Sequence, residues 1–101
     1  MFYNVLELKD VLDCKSKKME KKILLENGNS KLIAMYLEKD AIYDCHTSEG
    51  DVCVIVYDGE IEIHFEAQKF TIKKGEILMF KKEHEHKVLA KKDSKFLVVR
   101  I

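Results

Sequence analysis

The sequence contains no proline, so its turns must rest on glycine, asparagine, aspartate and serine. It also lacks a run of the roughly 18 continuous apolar residues that a membrane-spanning helix needs. Residues 1–13 show no basic start followed by an apolar core, which is the pattern of a secretory signal peptide. We therefore expect a cytoplasmic protein without a membrane partner.

Cysteine is scarce, and its positions form no motif. The three thiols, Cys14, Cys45 and Cys53, are an odd number and include no CxxC pair. This spacing argues against a disulfide framework and against a zinc knuckle. We expect the three cysteines to be reduced.

The charges are balanced and interspersed, with 18 Lys and Arg against 18 Asp and Glu. A nucleic-acid-binding surface needs a basic stripe, yet the densest basic run, residues 15–22, contains a glutamate and no aromatic residue. We interpret that run as a solvated connection and expect no nucleic-acid partner.

The size of the chain predicts one domain that forms a dimer. With 101 residues, 47% of them apolar, the chain can build one hydrophobic core. So short a chain buries a smaller fraction of its surface than a large protein does. A homodimer is the simplest way to cover the remaining apolar area.

From Ile33 onward, short apolar runs separated by turn residues predict an all-β fold. Turns at Asp58-Gly59 and Lys74-Gly75, where glycine can take a positive φ, join closely spaced strands into a sandwich or barrel. Upstream, residues 5–13 fit a short helix or an edge strand, and a further strand ends at Asn27-Gly28. The runs are LIAMYLE, VCVIVYDG, EIEIHFE, KFTIKKG, EILMFKK, HKVLAKK and KFLVVRI.

Two of these strands differ in their patterns. In EIEIHFE, Ile61 and Ile63 share one face, and His64 lies with glutamates on the other, so we interpret His64 as a surface histidine. VCVIVY is apolar on both faces, which is typical of a strand buried between two sheets or under a neighbouring subunit.

The run KKEHEHKV holds two of the four histidines. If HKVLA is a strand, His86, Val88 and Ala90 share a face that has no charge apart from the imidazole, and this face should be the interior. A buried imidazole needs a hydrogen bond or a metal ion as partner. His84 lies in a charged stretch typical of a turn, so we expect it at the rim of a pocket or in solvent.

His46 lies in YDCHTSEGD, just before the doubly apolar strand. With Cys45 beside it and Glu49 and Asp51 after it, this segment could offer a nitrogen and a carboxylate oxygen to a divalent ion. It could equally be an ordinary loop.

Together these stretches resemble a cupin, specifically the small single-domain proteins of the conserved-barrel group. In that family a first motif supplies two histidines one residue apart, then a glutamate and a hairpin glycine; a second motif opens with glycine and ends with a histidine. When the hairpin glycine is placed at Gly59, the positions of the first motif fall on His46, Ser48 and Val52, and those of the second fall on Gly75 and His86.

The resemblance spans roughly residues 32–101. It implies a single domain, residues 1–101, with an all-β, cupin-like double-stranded β-helix (jelly-roll barrel). Residues 1–30 would supply the N-terminal edge elements, a short helix or an edge strand, and residues 32–101 would supply the barrel core.

The resemblance also implies a pocket that contains His46 and His86. Two of the four usual metal ligands are thus kept, while Ser48 is a weak ligand and Val52 is none. A divalent ion, whether iron, manganese, nickel or zinc, would need Asp51 as a further ligand, or else Glu49 or the Cys45 thiol. Without that help the two histidines would line a pocket that holds no metal.

Three functions follow as hypotheses. The first is a small-molecule binding module in which His46 and His86, with Tyr57 and Tyr36, contact the ligand. The second is a metal-dependent isomerase or dioxygenase that uses His46, His86 and Asp51, since cupins include both activities. The third is a dimerising interaction module whose interface contains the doubly apolar strand.

Overall fold

The computed structural model describes residues 3–45, 50–82 and 84–101, and these form two antiparallel sheets packed face to face. The five-stranded sheet has the order β1-β2-β9-β4-β7, and the four-stranded sheet has the order β3-β8-β5-β6. The predicted all-β class is confirmed. The described strands are β1 (Met19–Asn27), β2 (Ser30–Leu37), β3 (Ile42–Cys45), β4 (Val52–Asp58), β5 (Glu60–His64), β6 (Lys69–Lys73), β7 (Ile77–Phe80), β8 (His86–Ala90) and β9 (Ser94–Arg100).

The core lies between the two sheets. On β5, Ile61 and Ile63 are fully buried while His64 is half exposed, which confirms the predicted alternation. Side chains of both inner faces interdigitate around Phe96 of β9, the middle strand of the five-stranded sheet. The main cluster comprises Ile33, Met35, Leu37, Val52, Val54, Val56, Ile61, Ile63, Ile72, Val88, Ala90 and Phe96.

The N-terminal residues cover part of the outer face of the five-stranded sheet. A short 3-10 helix (Leu8–Asp10) leads into Val11 and Leu12, which pack on Ala34 and Tyr36 of β2. Of the two alternatives for residues 5–13, the structure has a short helix, of 3-10 type, and no strand in that range. The strand predicted to end at Asn27 is confirmed as β1, which lies at the edge of the sheet beside β2. No helix in the described part of the chain has the length and apolarity to cross a membrane.

The start of β1 corrects the interpretation of the basic run. Residues 15–22 were expected to be a connection, but β1 begins at Met19, inside the run. Lys21 and Lys22 are exposed on this edge strand. Lysines on an edge strand disfavour pairing with another chain, which accounts for charged residues in a strand.

The chain passes from one sheet to the other at glycine turns. Gly59, between β4 and β5, has a φ of +85°, and Gly75, between β6 and β7, has a φ of +88°. Residues with a side chain rarely adopt this left-handed conformation. The turns predicted at both glycines are confirmed.

Candidate ligand-binding cavity

A small, partly open cavity of about 50 Å³ lies on the inner side of the five-stranded sheet. Strand alternation directs the side chains of both sheets into it, and most of its walls are apolar. Its polar groups come from four different strands and include one imidazole and one guanidinium. The described residues that line it are Lys21, Ile33, Met35, Tyr43, Val52, Val54, His86, Val88, Phe96, Val98 and Arg100.

His86, the first residue of β8, is half-buried at this cavity. Val88 and Ala90 follow it on the same face and are buried, so the predicted inward face of HKVLA is confirmed. Its ring packs against the Phe80 ring at 4.8 Å between centroids and near the Phe65 ring at 6.0 Å. These aromatic contacts restrict the orientation of the imidazole.

The hydrogen bond of His86 determines which ring nitrogen carries the proton. Its Nδ1 lies 3.0 Å from the His84 carbonyl oxygen. A carbonyl can only accept, so Nδ1 donates, and in the neutral ring Nε2 is an acceptor. Nε2 has no hydrogen-bond partner among the described residues and can therefore accept a hydrogen bond from a ligand.

The surroundings of His86 favour its neutral form. Burial lowers its pKa from the ordinary 6.5, and the positive charge of Arg100 lowers it further. The hydrogen bond to the His84 carbonyl raises the pKa and opposes these two effects only in part. The imidazole is thus mainly neutral at pH 7.

Arg100, the last residue of β9, is a cavity residue that the sequence reasoning missed. It shares the inner face of β9 with Phe96 and Val98, and its Nε is buried without a hydrogen-bond partner among the described residues. A buried N–H that lacks an acceptor costs about 1–3 kcal/mol, and more for a charged group. The alternation in KFLVVRI groups Arg100 with Phe96 and Val98 on one face, but it does not show that this face is the interior or that His86 lies there.

The other two described histidines lie outside the cavity. His84 is exposed, as predicted. Its ring lies edge-on to the Phe65 ring, with 6.3 Å between the two ring centroids. His64 lies on the polar face of β5, where its Nε2 is 2.9 Å from Glu62 Oε1. The interpretation of His64 as a surface histidine is confirmed.

Asp51 is held away from His86 by its own contacts. Its Oδ1 accepts a hydrogen bond from the Lys82 backbone N–H at 3.0 Å, and its Oδ2 lies 3.5 Å from Lys81 Nζ. The backbone hydrogen bond, and then the nearby lysine charges, lower the pKa of Asp51. Asp51 lines a separate groove on the outer side of the sheet, so the described structure does not place it with His86 as a metal ligand.

Tyr36 and Tyr57 also point away from the cavity. Met35 and Leu37 occupy the inner face of β2, so Tyr36 lies on the outer face, buried under the N-terminal segment. On β4, Val56 is in the core and Tyr57 therefore faces outward. The structure thus does not bring either tyrosine to the pocket for which both were predicted as ligand-binding residues.

The Tyr57 hydroxyl has no described partner, which leads to a prediction about stability. The oxygen is buried without a hydrogen bond, and burial raises the pKa of Tyr57 to about 12. Tyr57→Phe removes the unsatisfied hydroxyl and keeps the ring, so we expect the free energy of unfolding to rise by about 1 kcal/mol. Urea denaturation measures this change, and a loss of about 1 kcal/mol instead would mean that the hydroxyl has a partner.

His46, Ser48 and Glu49 lie outside the described residues, as does the side chain of Cys45. The backbone of Cys45 ends β3 and pairs with that of His86. The predicted placement of His46 in the pocket stays a prediction.

The described residues do not fit a divalent metal ion. Among them, no group of three or more His, Cys, Asp or Glu side chains could hold one. In the described lining of the cavity His86 is accompanied by Arg100 and Lys21, whose positive charges repel a cation.

The whole fold is similar to several solved structures. A cupin superfamily protein from Desulfitobacterium hafniense matches with a TM-score of 0.88 at 17% identity, over 100% of this chain and 93% of that one. A conserved protein of unknown function from Streptococcus pyogenes has a TM-score of 0.84 at 21% identity, over 99% of this chain and 89% of that one. An RmlC-like cupin protein from Desulfovibrio desulfuricans has a TM-score of 0.83 at 19% identity, over 97% of this chain and 95% of that one. No family model and no curated protein matches the sequence.

Proposed function

Because this chain has the fold of a small cupin domain, we propose that it binds a small molecule inside its barrel and needs no metal ion to do so. One observation carries the proposal: the half-buried imidazole of His86 lines an apolar cavity and offers Nε2 as an acceptor. A few polar groups in an apolar pocket are typical of small-molecule sites. The cavity of about 50 Å³ has room for only a few water molecules, so the ligand, or the part that enters, is small.

The test is a binding screen that reports from inside the barrel. Methyl groups of Val54, Val88 and Val98 line the cavity and can be labelled for NMR. We expect some members of a mixed set of small acids, amides, alcohols and sugars to shift these signals. His86→Ala should weaken such binding at least tenfold, because it removes the acceptor that orients the ligand.

His64→Ala is the matched control, since it removes an imidazole from the polar surface, and it should leave binding unchanged. If no compound shifts the interior methyl signals of the folded protein, the proposal is wrong. Near-stoichiometric iron, manganese, nickel or zinc that is lost in His86→Ala would contradict the metal-free form and favour the isomerase or dioxygenase hypothesis. The same assay on His46→Ala tests whether His46 shares the pocket.

A separate observation supports a homodimer. On the outer face of the five-stranded sheet, Ile77 is 56% exposed and Met79 is 73% exposed, next to half-buried Cys53 of β4. Exposed apolar patches of this kind often mark protein interfaces. At the rim, Asp51 and Lys81 form an ion pair within the chain, so this pair adds no net charge that would repel a second copy. We therefore propose a second copy of this chain as the partner.

Light scattering after size-exclusion chromatography tests the dimer. We expect the native protein to have twice the mass of the chain, and Met79→Glu to have the mass of a monomer, because a charge at the interface would be desolvated. Leu25→Glu places the same charge on an exposed apolar position of β1 and should leave the dimer intact. A native monomer, or a Met79→Glu dimer, would contradict this interface.

The cytoplasmic location, expected from the sequence, is likewise a proposal, and cell fractionation would test it.

A further inference from the structure

The side chain of Arg100, at the inner face of β9, has a hydrogen-bonding group that the rest of the described structure does not satisfy. Its Nε is buried and lacks a described acceptor, although arginine is a strong donor that normally meets a carboxylate or a carbonyl when it is buried. It lines the same small cavity as His86. Because that cavity has a volume of only about 50 Å³, one small ligand can contact both residues.

The described lining of the cavity has cations but no acid. Lys21 joins Arg100 there, because its position on β1 is paired with Met35, whose side chain faces the interior. No aspartate or glutamate is among the described lining residues. A pocket with one sign of charge and low-dielectric walls concentrates ligands of the opposite sign.

Arg100 and the positive charge of the cavity favour an anionic ligand, and His86 adds a requirement for a hydrogen-bond donor. Its Nδ1 proton is committed to the His84 carbonyl, so neutral Nε2 can accept a hydrogen bond and cannot donate one. A ligand that satisfies both residues therefore needs an anionic acceptor for Arg100 and a hydroxyl donor for His86.

Given that the barrel binds a small molecule at all, as proposed above, we propose that its ligand is a small hydroxycarboxylate. Arg100 donates to the carboxylate through charge-assisted hydrogen bonds, for which the planar guanidinium is suited. The ligand hydroxyl donates to His86 Nε2. Lys21, which is more exposed, adds long-range attraction for the negative charge.

The experiment compares four probes by methyl NMR titration at pH 7: lactate, glycolate, propionate and lactamide. Lactamide keeps the hydroxyl of lactate and lacks its charge, whereas propionate keeps the charge and lacks the hydroxyl. We expect lactate and glycolate to shift the signals of Val54, Val88 and Val98. Lactamide should bind at least tenfold more weakly than lactate, and propionate several-fold more weakly.

Arg100→Met should remove the preference for lactate over lactamide. Because the Nε that it deletes has no described partner, this variant should fold with near-native stability, which denaturation would verify. Lys21→Met should weaken lactate binding several-fold and serves as a second variant. Lys87→Met, on the outward face of β8, deletes one positive charge outside the cavity. It should leave lactate binding nearly unchanged, apart from a small loss of long-range attraction.

Each outcome has a separate meaning. If lactamide binds as tightly as lactate, or if Arg100→Met keeps the preference, the barrel binds small molecules but the hydroxycarboxylate assignment is wrong. The assignment is also wrong if only alcohols or sugars from the mixed set bind. If no compound of any class shifts the interior methyl signals, the proposed function itself fails.

Discussion

Gly59→Ala is expected to destabilise the protein by about 3 kcal/mol or more. Two costs combine at this site. A left-handed φ costs a residue with a side chain about 1–2 kcal/mol, and forcing atoms into a packed site costs a further 1–3 kcal/mol or so. Gly59 has a φ of +85°, and an added Cβ would lie 2.4 Å from Ser94 Oγ, 2.5 Å from the Asp93 carbonyl oxygen and 2.8 Å from Ser94 Cα.

The contacts around Gly59 cannot give way easily. Two of the three are backbone atoms, and Ser94 Oγ accepts a hydrogen bond from the Glu60 N–H at 3.0 Å while it lies 2.7 Å from the Lys92 carbonyl oxygen. Ser94 is fully buried. Moving it would break the hydrogen bond that ties the β4–β5 corner to the start of β9.

Gly75→Ala is the matched control for this prediction. Gly75 has nearly the same φ, +88°, but no atom other than those of Gly75 and its two chain neighbours lies within 4 Å of the Cβ that alanine would add. Only the conformational cost of about 1–2 kcal/mol should remain. Urea denaturation of both variants measures the difference, and equal losses would show that the steric argument at Gly59 is mistaken.

Phe96→Ala is expected to cost about 3–5 kcal/mol, the usual range for a large aromatic residue deleted from a core. Phe96 is 1% exposed and is paired across the sheet with Met35 and with Val56. Domains of this size are stable by only about 5–15 kcal/mol, so the variant should be close to unfolding at room temperature. Because Phe96 also lines the cavity, any folded fraction should accept bulkier ligands.

Phe70→Ala is the control for the loss of an aromatic ring. Phe70 is 39% exposed on the edge strand β6 and makes an edge-to-face contact with Phe65, at 6.0 Å between ring centroids. We expect a loss of about 1 kcal/mol, because an aromatic pair contributes about 0.5–1.5 kcal/mol beyond its buried area. A Phe96→Ala variant that is as stable as Phe70→Ala would contradict the placement of Phe96 at the centre of the core.

The sequence predicted the local features of this fold and part of the site. Alternation with period two correctly assigned Ile61, Ile63 and Val88 to the inner face, because successive side chains of a strand must point to opposite sides. Gly59 and Gly75 marked their turns because few other residues tolerate a positive φ. The inward position of His86 followed from the same alternation.

Tertiary structure decided the features that alternation leaves open. When both faces of a strand are apolar, as in β2 and β4, the pattern groups Tyr36 with Ala34 but cannot say which group faces the other sheet. Tyr36 lies on the outer face because the N-terminal segment packs over that face and buries it. Contacts between residues distant in sequence decided the other positions. The Lys82 N–H donates a hydrogen bond to Asp51, 31 residues away, and β1 and β9 place Lys21 and Arg100 at the cavity that His86 lines. Local periodicity therefore determined which side chains share a face, whereas only the packing of distant strands determined which face became the interior and which charges met there.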